Sequence, residues 1–193
     1  FQMMRKTTTL FLLLFTLSTM SLNAQVGVAL YLEKASICKQ NNGKFSLNDF
    51  HKKPIIADAD TIFSTHFDCF VVSKAGQKGL YDAEGKCLLP ITFSNISFDN
   101  SRYWLVNKDG KQGLYTYMGK EIMPPRYDSI EVISNYRTNA GNYFIVKKGL
   151  YGLCNNEGKF IVDPQYTAIK YRYLRYFKLT KGDSCHYLFN YKD

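Results

Sequence analysis

Short apolar segments alternate with glycine-containing polar turns along most of this chain. Residues 70–72 (FVV), for example, are followed by a turn at Gly76 and then by a second apolar segment around Leu80. Short apolar runs bounded by turn residues predict buried β-strands, and tight glycine turns between them predict hairpins. The abundance of tyrosine, phenylalanine, valine and isoleucine favours strands as well. We therefore predict an all-β fold of antiparallel strands.

The same pattern occurs three times, in residues 70–96, 104–130 and 143–169. The segments read FVVSKAGQKGLYDAEGKCLLPITFSNI, WLVNKDGKQGLYTYMGKEIMPPRYDSI and YFIVKKGLYGLCNNEGKFIVDPQYTAI, and they align without a gap. Shared positions include a leading aromatic residue, turn glycines, a leucine and a closing isoleucine: Phe70, Trp104 and Tyr143; Gly76, Gly110 and Gly149; Gly79, Gly113 and Gly152; Leu80, Leu114 and Leu153; Ile96, Ile130 and Ile169. Spacings of 34 and 39 residues predict an array of structural repeats.

Each unit is predicted to form a three-stranded antiparallel meander. In the first unit the strands begin near Phe70, Gly79 and Lys86, and the third strand ends at Pro90, which has no N–H to donate to a neighbour. Such a small sheet cannot bury both of its faces alone, so we expect neighbouring sheets to stack. We predict an open, solenoid-like array. A partial propeller-like ring is the alternative, because so few short units make a complete ring doubtful.

The first 24 residues have the layout of a cleaved secretory signal. Arg5 and Lys6 precede an apolar segment at residues 10–17, and small and polar residues lead to Ala24, after which we expect cleavage. The apolar segment is too short to span a bilayer, so no transmembrane segment is expected in the mature chain. The chain is predicted to be exported, to the periplasm, the cell surface or the medium.

The flanks of the repeats resemble worn copies of the unit. Residues 54–62 resemble the end of a unit, and residues 176–182 resemble the beginning of one. Degenerate terminal units are expected, because their outer faces meet water. The predicted organisation is a signal peptide at 1–24, a degenerate N-terminal repeat at 25–69, three full repeats at 70–170 and a degenerate C-terminal repeat at 171–193.

The repeated motif K-x-G-x-x-G-L-Y, then G-K, then P-x-Y-x-x-I, resembles the bacterial WG-repeat (KWG) family. The resemblance covers residues 70–170 well and the flanks poorly. At the position of the tryptophan that is typical of the family, this chain has Lys78, Gln112 and Tyr151. The resemblance implies an exported or surface-associated repeat protein without enzymatic activity, and it supplies no catalytic or ligand-binding residues.

The net charge of +9 permits an anionic partner, but the lysines are spread along the chain and many lie in turns. Solvated turns therefore explain the charge best, and export makes nucleic acid an improbable partner. The five cysteines would enter an oxidising compartment, where disulfides are possible and at least one thiol stays unpaired. Several align with core positions of other repeats, which favours a role as small buried hydrophobic residues.

Two groups of residues have the composition of a chemical site. Cys69 and His66 are close enough in sequence to form a nucleophilic pair, but nothing near them activates the thiol. Asp58, Asp60 and Asp68 offer oxygens to Ca²⁺, but the segment lacks the glycine and distal carboxylate of a calcium loop. The Gly-x-x-Gly turns lead into strands rather than helices, which argues against a phosphate site. We predict no catalytic residues, metal or cofactor.

Aromatic residues give the strongest functional signal. Tyr171, Tyr173, Arg175 and Tyr176 place aromatic and cationic groups together, as sugar-binding and peptide-binding surfaces do, although core packing explains such a segment better. Trp104, by contrast, is expected in the core because of its alignment. The predicted function is a non-catalytic protein-binding or scaffold module of the cell envelope. The alternative is a glycan-binding accessory protein, so the expected partner is another envelope protein or a polysaccharide.

Overall fold

The computed structural model describes residues 35–99, 102–134, 142–172 and 176–189, and most of them lie in β-strands. The predicted signal peptide falls outside these residues. The described strands form five antiparallel sheets that follow one another along the chain. A single turn of 3₁₀ helix, His66–Asp68, is the only helical element in the described segments.

The sheets are numbered here in chain order. Sheet 1 contains β1 (Ser36–Lys39), β2 (Phe45–Asn48) and β3 (Pro54–Ala59); sheet 2 contains β4 (Thr61–Ser64), β5 (Phe70–Lys74), β6 (Gln77–Tyr81) and β7 (Cys87–Phe93). Sheet 3 contains β8 (Asn95–Asp99), β9 (Tyr103–Lys108), β10 (Lys111–Thr116) and β11 (Glu121–Tyr127). Sheet 4 contains β12 (Ser129–Ile133), β13 (Tyr143–Lys148), β14 (Leu150–Cys154) and β15 (Phe160–Tyr166), and sheet 5 contains β16 (Ala168–Arg172), β17 (Tyr176–Lys181) and β18 (Ser184–Phe189).

The predicted fold class, an all-β array of antiparallel meanders, is confirmed, and none of the five sheets closes on itself. The observed unit differs from the predicted three-stranded meander, because sheets 2 to 4 each have a fourth strand. That strand contains the closing isoleucine of the sequence motif, which pairs with the next unit: Ile96 of β8 lies opposite Val106 of β9. The third predicted strand also runs past Pro90 to Phe93. Proline is tolerated there because β7 is an edge strand.

The motif glycine Gly113 lies where β11 bulges towards β10. Gln112 pairs with Tyr127 and Leu114 with Met123, so three residues of β11 lie opposite this single glycine. A Cβ atom on Gly113 would stand 2.8 Å from the backbone nitrogen of Pro125 and 3.0 Å from the carbonyl oxygen of Met123. The same crowding occurs at Gly79 and Gly152. The glycine therefore marks a close contact with the backbone of the next strand, at Pro125 and Pro164 in sheets 3 and 4 and at Ile91 in sheet 2.

The hairpin between β13 and β14 is one residue shorter than its counterparts. Only Gly149 separates the paired residues Lys148 and Leu150, whereas two residues separate Lys108 and Lys111 in sheet 3. Before Gly149, the gap-free sequence alignment therefore matches each residue of the third repeat with a position one residue away from its structural counterpart. Trp104 is buried, as predicted, but its structural counterparts are Phe70 and Phe144 rather than Tyr143.

Four hydrophobic cores lie between successive sheets of the described chain. The second core, for example, joins Leu80 and Leu89 of sheet 2 to Trp104 and Val106 of sheet 3. Because successive side chains of a strand point to opposite faces, an inner strand of a middle sheet contributes residues to both adjacent cores. In β9, Trp104 and Val106 face sheet 2, whereas Leu105 packs towards sheet 4. Each middle sheet is thus covered on both faces by its neighbours.

A carboxylate joins sheets 3 and 4 at the edge of their shared core. Asp128 accepts a hydrogen bond from the Nζ of Lys111 at 2.5 Å and another from the backbone N–H of Gly149 at 2.7 Å. Asp60 joins sheets 1 and 2 in the same way, through Lys44 and the N–H of Ala75. The N–H of Gly149 and the ammonium group of Lys111 favour the charged form, so the pKa of Asp128 is lowered.

We expect Gly113→Ala to lower the free energy of unfolding by about 1–3 kcal/mol, because the new methyl group overlaps the backbone of β11. Thermal and urea denaturation measure this change. Gly110→Asn is the matched control. Gly110 has a φ of 74°, but no atom lies within 4 Å of the place where a Cβ atom would stand, and asparagine tolerates this conformation. Equal losses in the two variants would show that the bulge contact is not the constraint.

We expect the stabilising effect of Asp128 to depend on pH. Because its pKa is lower in the folded chain than in the unfolded one, its contribution is complete above about pH 5 and declines as the pH falls through about 4 and below. The difference in unfolding free energy between the native chain and Asp128→Asn should shrink over that range. Asp109→Asn, in an exposed turn, is the control. If the difference in unfolding free energy stayed constant from about pH 7 to about pH 3, the stabilising role of the Asp128 carboxylate between sheets 3 and 4 would be contradicted.

Candidate functional site

The residues predicted as a binding segment are divided between the two faces of sheet 5. Tyr171 of β16 points into the core shared with sheet 4, where its ring lies 4.7 Å from that of Phe177. Tyr176 of β17 points to the opposite, outer face. Tyr173 and Arg175 lie outside the described residues. In the pairing of β16 with β17, Tyr171 lies opposite Phe177 and Arg172 lies opposite Tyr176. Because successive residues of a strand point to opposite faces, Tyr171 and Tyr176 do not form one site.

The outer face of sheet 5 carries an aromatic cluster formed by Tyr176, Tyr187 and Phe189. The ring of Tyr176 lies 5.5 Å from that of Tyr187 and 5.6 Å from that of Phe189, measured between centroids. Tyr187 is 54% exposed and Phe189 is 53% exposed. Exposed aromatic clusters of this kind are unusual on a surface that only meets solvent. We call this aromatic cluster, together with the neighbouring cations Lys170, Arg172 and Lys178, the terminal face.

Three cations surround the aromatic cluster. Lys170 and Arg172 alternate with the inward residues of β16, and Lys178 pairs with Lys170 across the sheet and with Tyr187 on β18. In β9 and β13 the position of Lys178 is held by Leu105 and Ile145, which pack against the next sheet. A lysine at this position keeps the terminal face hydrated around its aromatic centre.

The terminal face is the counterpart of a surface that is covered elsewhere in the array. In sheets 2 to 4 the same face packs against the following sheet. In addition, β6, β10 and β14 each pair with a following strand, whereas β18 is an edge strand among the described residues. Within the described part of the chain, sheet 5 therefore presents both a stacking surface and an open strand edge.

A cleft of about 440 Å³ opens beside β16 on the side of sheet 4. Glu131 and Ile133 of β12 line it together with Lys170, Tyr171 and Arg172. The hydroxyl oxygen of Tyr171 is buried without a hydrogen-bond partner. The cleft adjoins the terminal face through Lys170 and Arg172, so both features belong to the same end of the described array.

Cys69 and His66 do not interact in the way that a nucleophilic pair requires. The Sγ of Cys69 donates to the carbonyl oxygen of Phe67 at 3.5 Å, and the ring of His66 stacks on Phe98 at 4.5 Å. Burial, reinforced by nearby carboxylates, raises the pKa of Cys69 to about 11. The thiol is therefore protonated at neutral pH, and the thiol form is a poor nucleophile.

The aspartates considered for Ca²⁺ binding have other partners. Both carboxylate oxygens of Asp60 accept hydrogen bonds, from Lys44 and from the N–H of Ala75. Asp58 accepts a hydrogen bond from Asn42. Within the described segments, no group of three histidine, cysteine, aspartate or glutamate residues is arranged to hold a metal ion.

The five cysteines are all free, and they differ in environment. Cys69 and Cys154 are buried in the cores, as expected for small hydrophobic residues. Cys38, Cys87 and Cys185 are exposed, so that expectation is wrong for them. The reason is their position on terminal or edge strands, where one face meets solvent.

A family model described as "WG containing repeat" matches residues 151–173. The matched segment covers β14 and β15 of sheet 4 and then β16, the first strand of sheet 5. Residues 151–173 are therefore a WG repeat. The WG sequence repeat thus spans a sheet boundary, which explains why its closing isoleucine lies in the next sheet. No curated protein matches the chain. None of the described residues forms a helix of the length and hydropathy needed to cross a membrane.

The three residues at the WG tryptophan position contact neighbouring strands. Lys78 donates to the side chain of Asn95 on β8 at 2.7 Å, and Gln112 accepts from the backbone N–H of Ile130 on β12 at 2.8 Å. Tyr151 packs into the core between sheets 4 and 5, with the ammonium group of Lys147 5.4 Å from its ring centre. The position therefore joins consecutive sheets even without tryptophan.

Sequence reasoning missed most of the terminal face. It identified Tyr176 but not Tyr187, Phe189 or the cations Lys170 and Lys178. The available signal was the similarity of residues 176–182 to the start of a repeat, which predicts the alternation of β17. Extending that alternation across the hairpin to β18 would have placed Tyr187 and Phe189 beside Tyr176.

Proposed function

We propose that this WG-repeat protein is an exported, non-catalytic binding module of the cell envelope that docks another protein through the terminal face. The observation that carries the proposal is the exposure of Tyr187 and Phe189 on the face that is covered in every preceding four-stranded sheet. The proposed export rests on the signal-like pattern of residues 1–24.

The chemistry of the terminal face suits a protein partner. Tyrosine and arginine are enriched among the residues that contribute most to protein interfaces, and large aromatic side chains bury much area at little cost in conformational entropy. The open edge of β18 offers backbone groups to an additional strand, as in recognition by strand addition. A flat aromatic surface beside an open edge matches the next sheet of an array, supplied by another molecule.

An acidic polysaccharide is the second candidate ligand. Lys170, Arg172 and Lys178 surround the aromatic cluster, and saccharide rings stack on aromatic side chains while cations bind their carboxylates. This alternative accounts for the three cations better than an apolar protein surface does. It differs in its expected response to salt, because exposed charge pairs are screened.

The test is affinity capture from the native cell envelope with the double variant Tyr187→Ala/Phe189→Ala. We expect the native chain to retain a partner protein in high salt and in the presence of soluble saccharide. The double variant should recover it about tenfold less well or worse, because two central aromatic contacts are lost. Phe63→Ala is the matched control, since Phe63 is similarly exposed but lies on β4.

Three outcomes separate the candidates. A protein that is captured by the native chain and by Phe63→Ala, but not by the double variant, supports protein docking at the terminal face. Release of the bound material by salt or by soluble acidic saccharide assigns the face to a polysaccharide instead. Equal capture by the native chain, the double variant and the Phe63→Ala control would contradict both assignments.

A further inference from the structure

A second surface, at the junction of sheets 2 and 3, has the form of a small binding groove. It encloses about 200 Å³ between the loop that follows β6 and the loop that follows β10. Leu88 forms part of its base, Phe67 and Tyr117 form aromatic walls, and Met118 lies at its mouth. Phe67 is 53% exposed and Met118 is 67% exposed, so the groove is open to solvent.

The aromatic walls are held in place by a chain of ring contacts. The ring of Phe67 lies 5.3 Å from that of Tyr117 and 5.3 Å from that of Phe98, which in turn packs against Trp104 at 4.8 Å. The indole N–H of Trp104 donates to the carbonyl oxygen of Tyr117 at 3.1 Å. The buried tryptophan thus fixes the loop that carries Tyr117, so the groove is formed before any ligand arrives.

The backbone at Phe67 is strained. Phe67 has a φ of 58° and Asp68 a φ of 53°, and left-handed conformations are costly for residues other than glycine. The strain does not bury the ring of Phe67, which remains largely exposed beside Tyr117. Strained segments that expose a side chain at a groove are typical of binding sites.

The rim of the groove is acidic, although the chain as a whole is basic. Asp82 and Glu84 line the groove, and Asp68 follows Phe67 directly. All three carboxylates act on Cys69, another groove residue: after burial, they are the causes that raise the pKa of its thiol. A negative local potential in a chain of net charge +9 favours a cationic ligand.

The equivalent groove at the junction of sheets 3 and 4 is polar, so the fold does not require the apolar one. It has a volume of about 420 Å³. Asn156 and Glu157 line it at the positions that Tyr117 and Met118 hold in the first groove. The two loops have the same turn: Gly119 donates to the carbonyl oxygen of Thr116, and Gly158 to that of Asn155. The difference between the grooves therefore lies in side-chain chemistry.

We propose that the groove between sheets 2 and 3 binds a peptide segment in which a lysine or arginine neighbours an apolar residue. The apolar side chain packs on Leu88 and Met118, and the cation lies over the rings of Phe67 and Tyr117 within reach of Glu84. Cation–π contacts and charge complementarity then add to apolar burial. This site is separate from the terminal face and does not depend on the function proposed for it.

The test uses the full chain with two blocked peptides, acetyl-Arg-Leu-Arg-Leu-amide and acetyl-Glu-Leu-Glu-Leu-amide. Binding is measured by titration calorimetry and by the fluorescence of Trp104, the only tryptophan of the chain. We expect the basic peptide alone to bind and to change the fluorescence, because Trp104 is hydrogen-bonded to the groove loop.

Two substitutions should weaken that binding about tenfold or more: Glu84→Lys, which reverses a rim charge, and Met118→Gln, which removes the apolar contact without adding charge. Both positions lie in loops, and the polar residue Glu157 is already accommodated at the place equivalent to Met118, so the fold should be retained. Glu157→Lys in the polar groove is the matched control and should bind as the native chain does.

The proposal is overturned if neither peptide binds, or if both bind equally. It is also overturned if Glu157→Lys weakens binding as much as Glu84→Lys does, because the peptide would then respond to overall charge. Concentration-dependent self-association that Met118→Gln abolishes would assign the groove to a second copy of the chain instead.

Discussion

The structure depends on one constraint: each sheet is too small to form a core alone, and the three middle sheets are apolar on both faces. The chain meets this constraint by stacking consecutive sheets, so that every core is shared by two of them. The central strand β9 illustrates the arrangement, because Trp104 and Leu105, adjacent in sequence, serve different cores. Stability in such an array is a sum of neighbouring contacts.

The repeat, the strand class and the buried tryptophan were predictable from the sequence because they follow from periodicity and glycine spacing. The fourth strand was not, because the closing isoleucine belongs by sequence to one unit and by pairing to the next. The counterpart of Trp104 was missed because a hairpin one residue shorter shifts the alignment before Gly149. In the candidate site, Tyr171 and Tyr176 are close in sequence, but they lie on opposite faces of sheet 5. Contacts across strands decide such questions, and a single sequence records them poorly.

The backbone of the units is alike, whereas their surfaces differ. The same loop turn presents Tyr117 and Met118 at one junction and Asn156 and Glu157 at the next. The face that Leu105 and Ile145 occupy within the array carries Lys178 in sheet 5. The binding surfaces that we propose therefore lie on a fixed scaffold, at positions where a side chain departs from the repeat consensus.

Segment-resolved hydrogen–deuterium exchange of the native chain and of Phe177→Ala tests the shared-core account most directly. Phe177 lies in sheet 5 but packs in the core that Ile145 and Leu153 of sheet 4 complete. The account predicts faster exchange in both sheets 4 and 5, with β1 to β7 unchanged, because destabilisation passes through the shared core to the adjacent sheet. Faster exchange confined to β16 to β18 would mean that the sheets are independent, and a uniform increase along the chain would mean a single cooperative core. Either result would contradict the account.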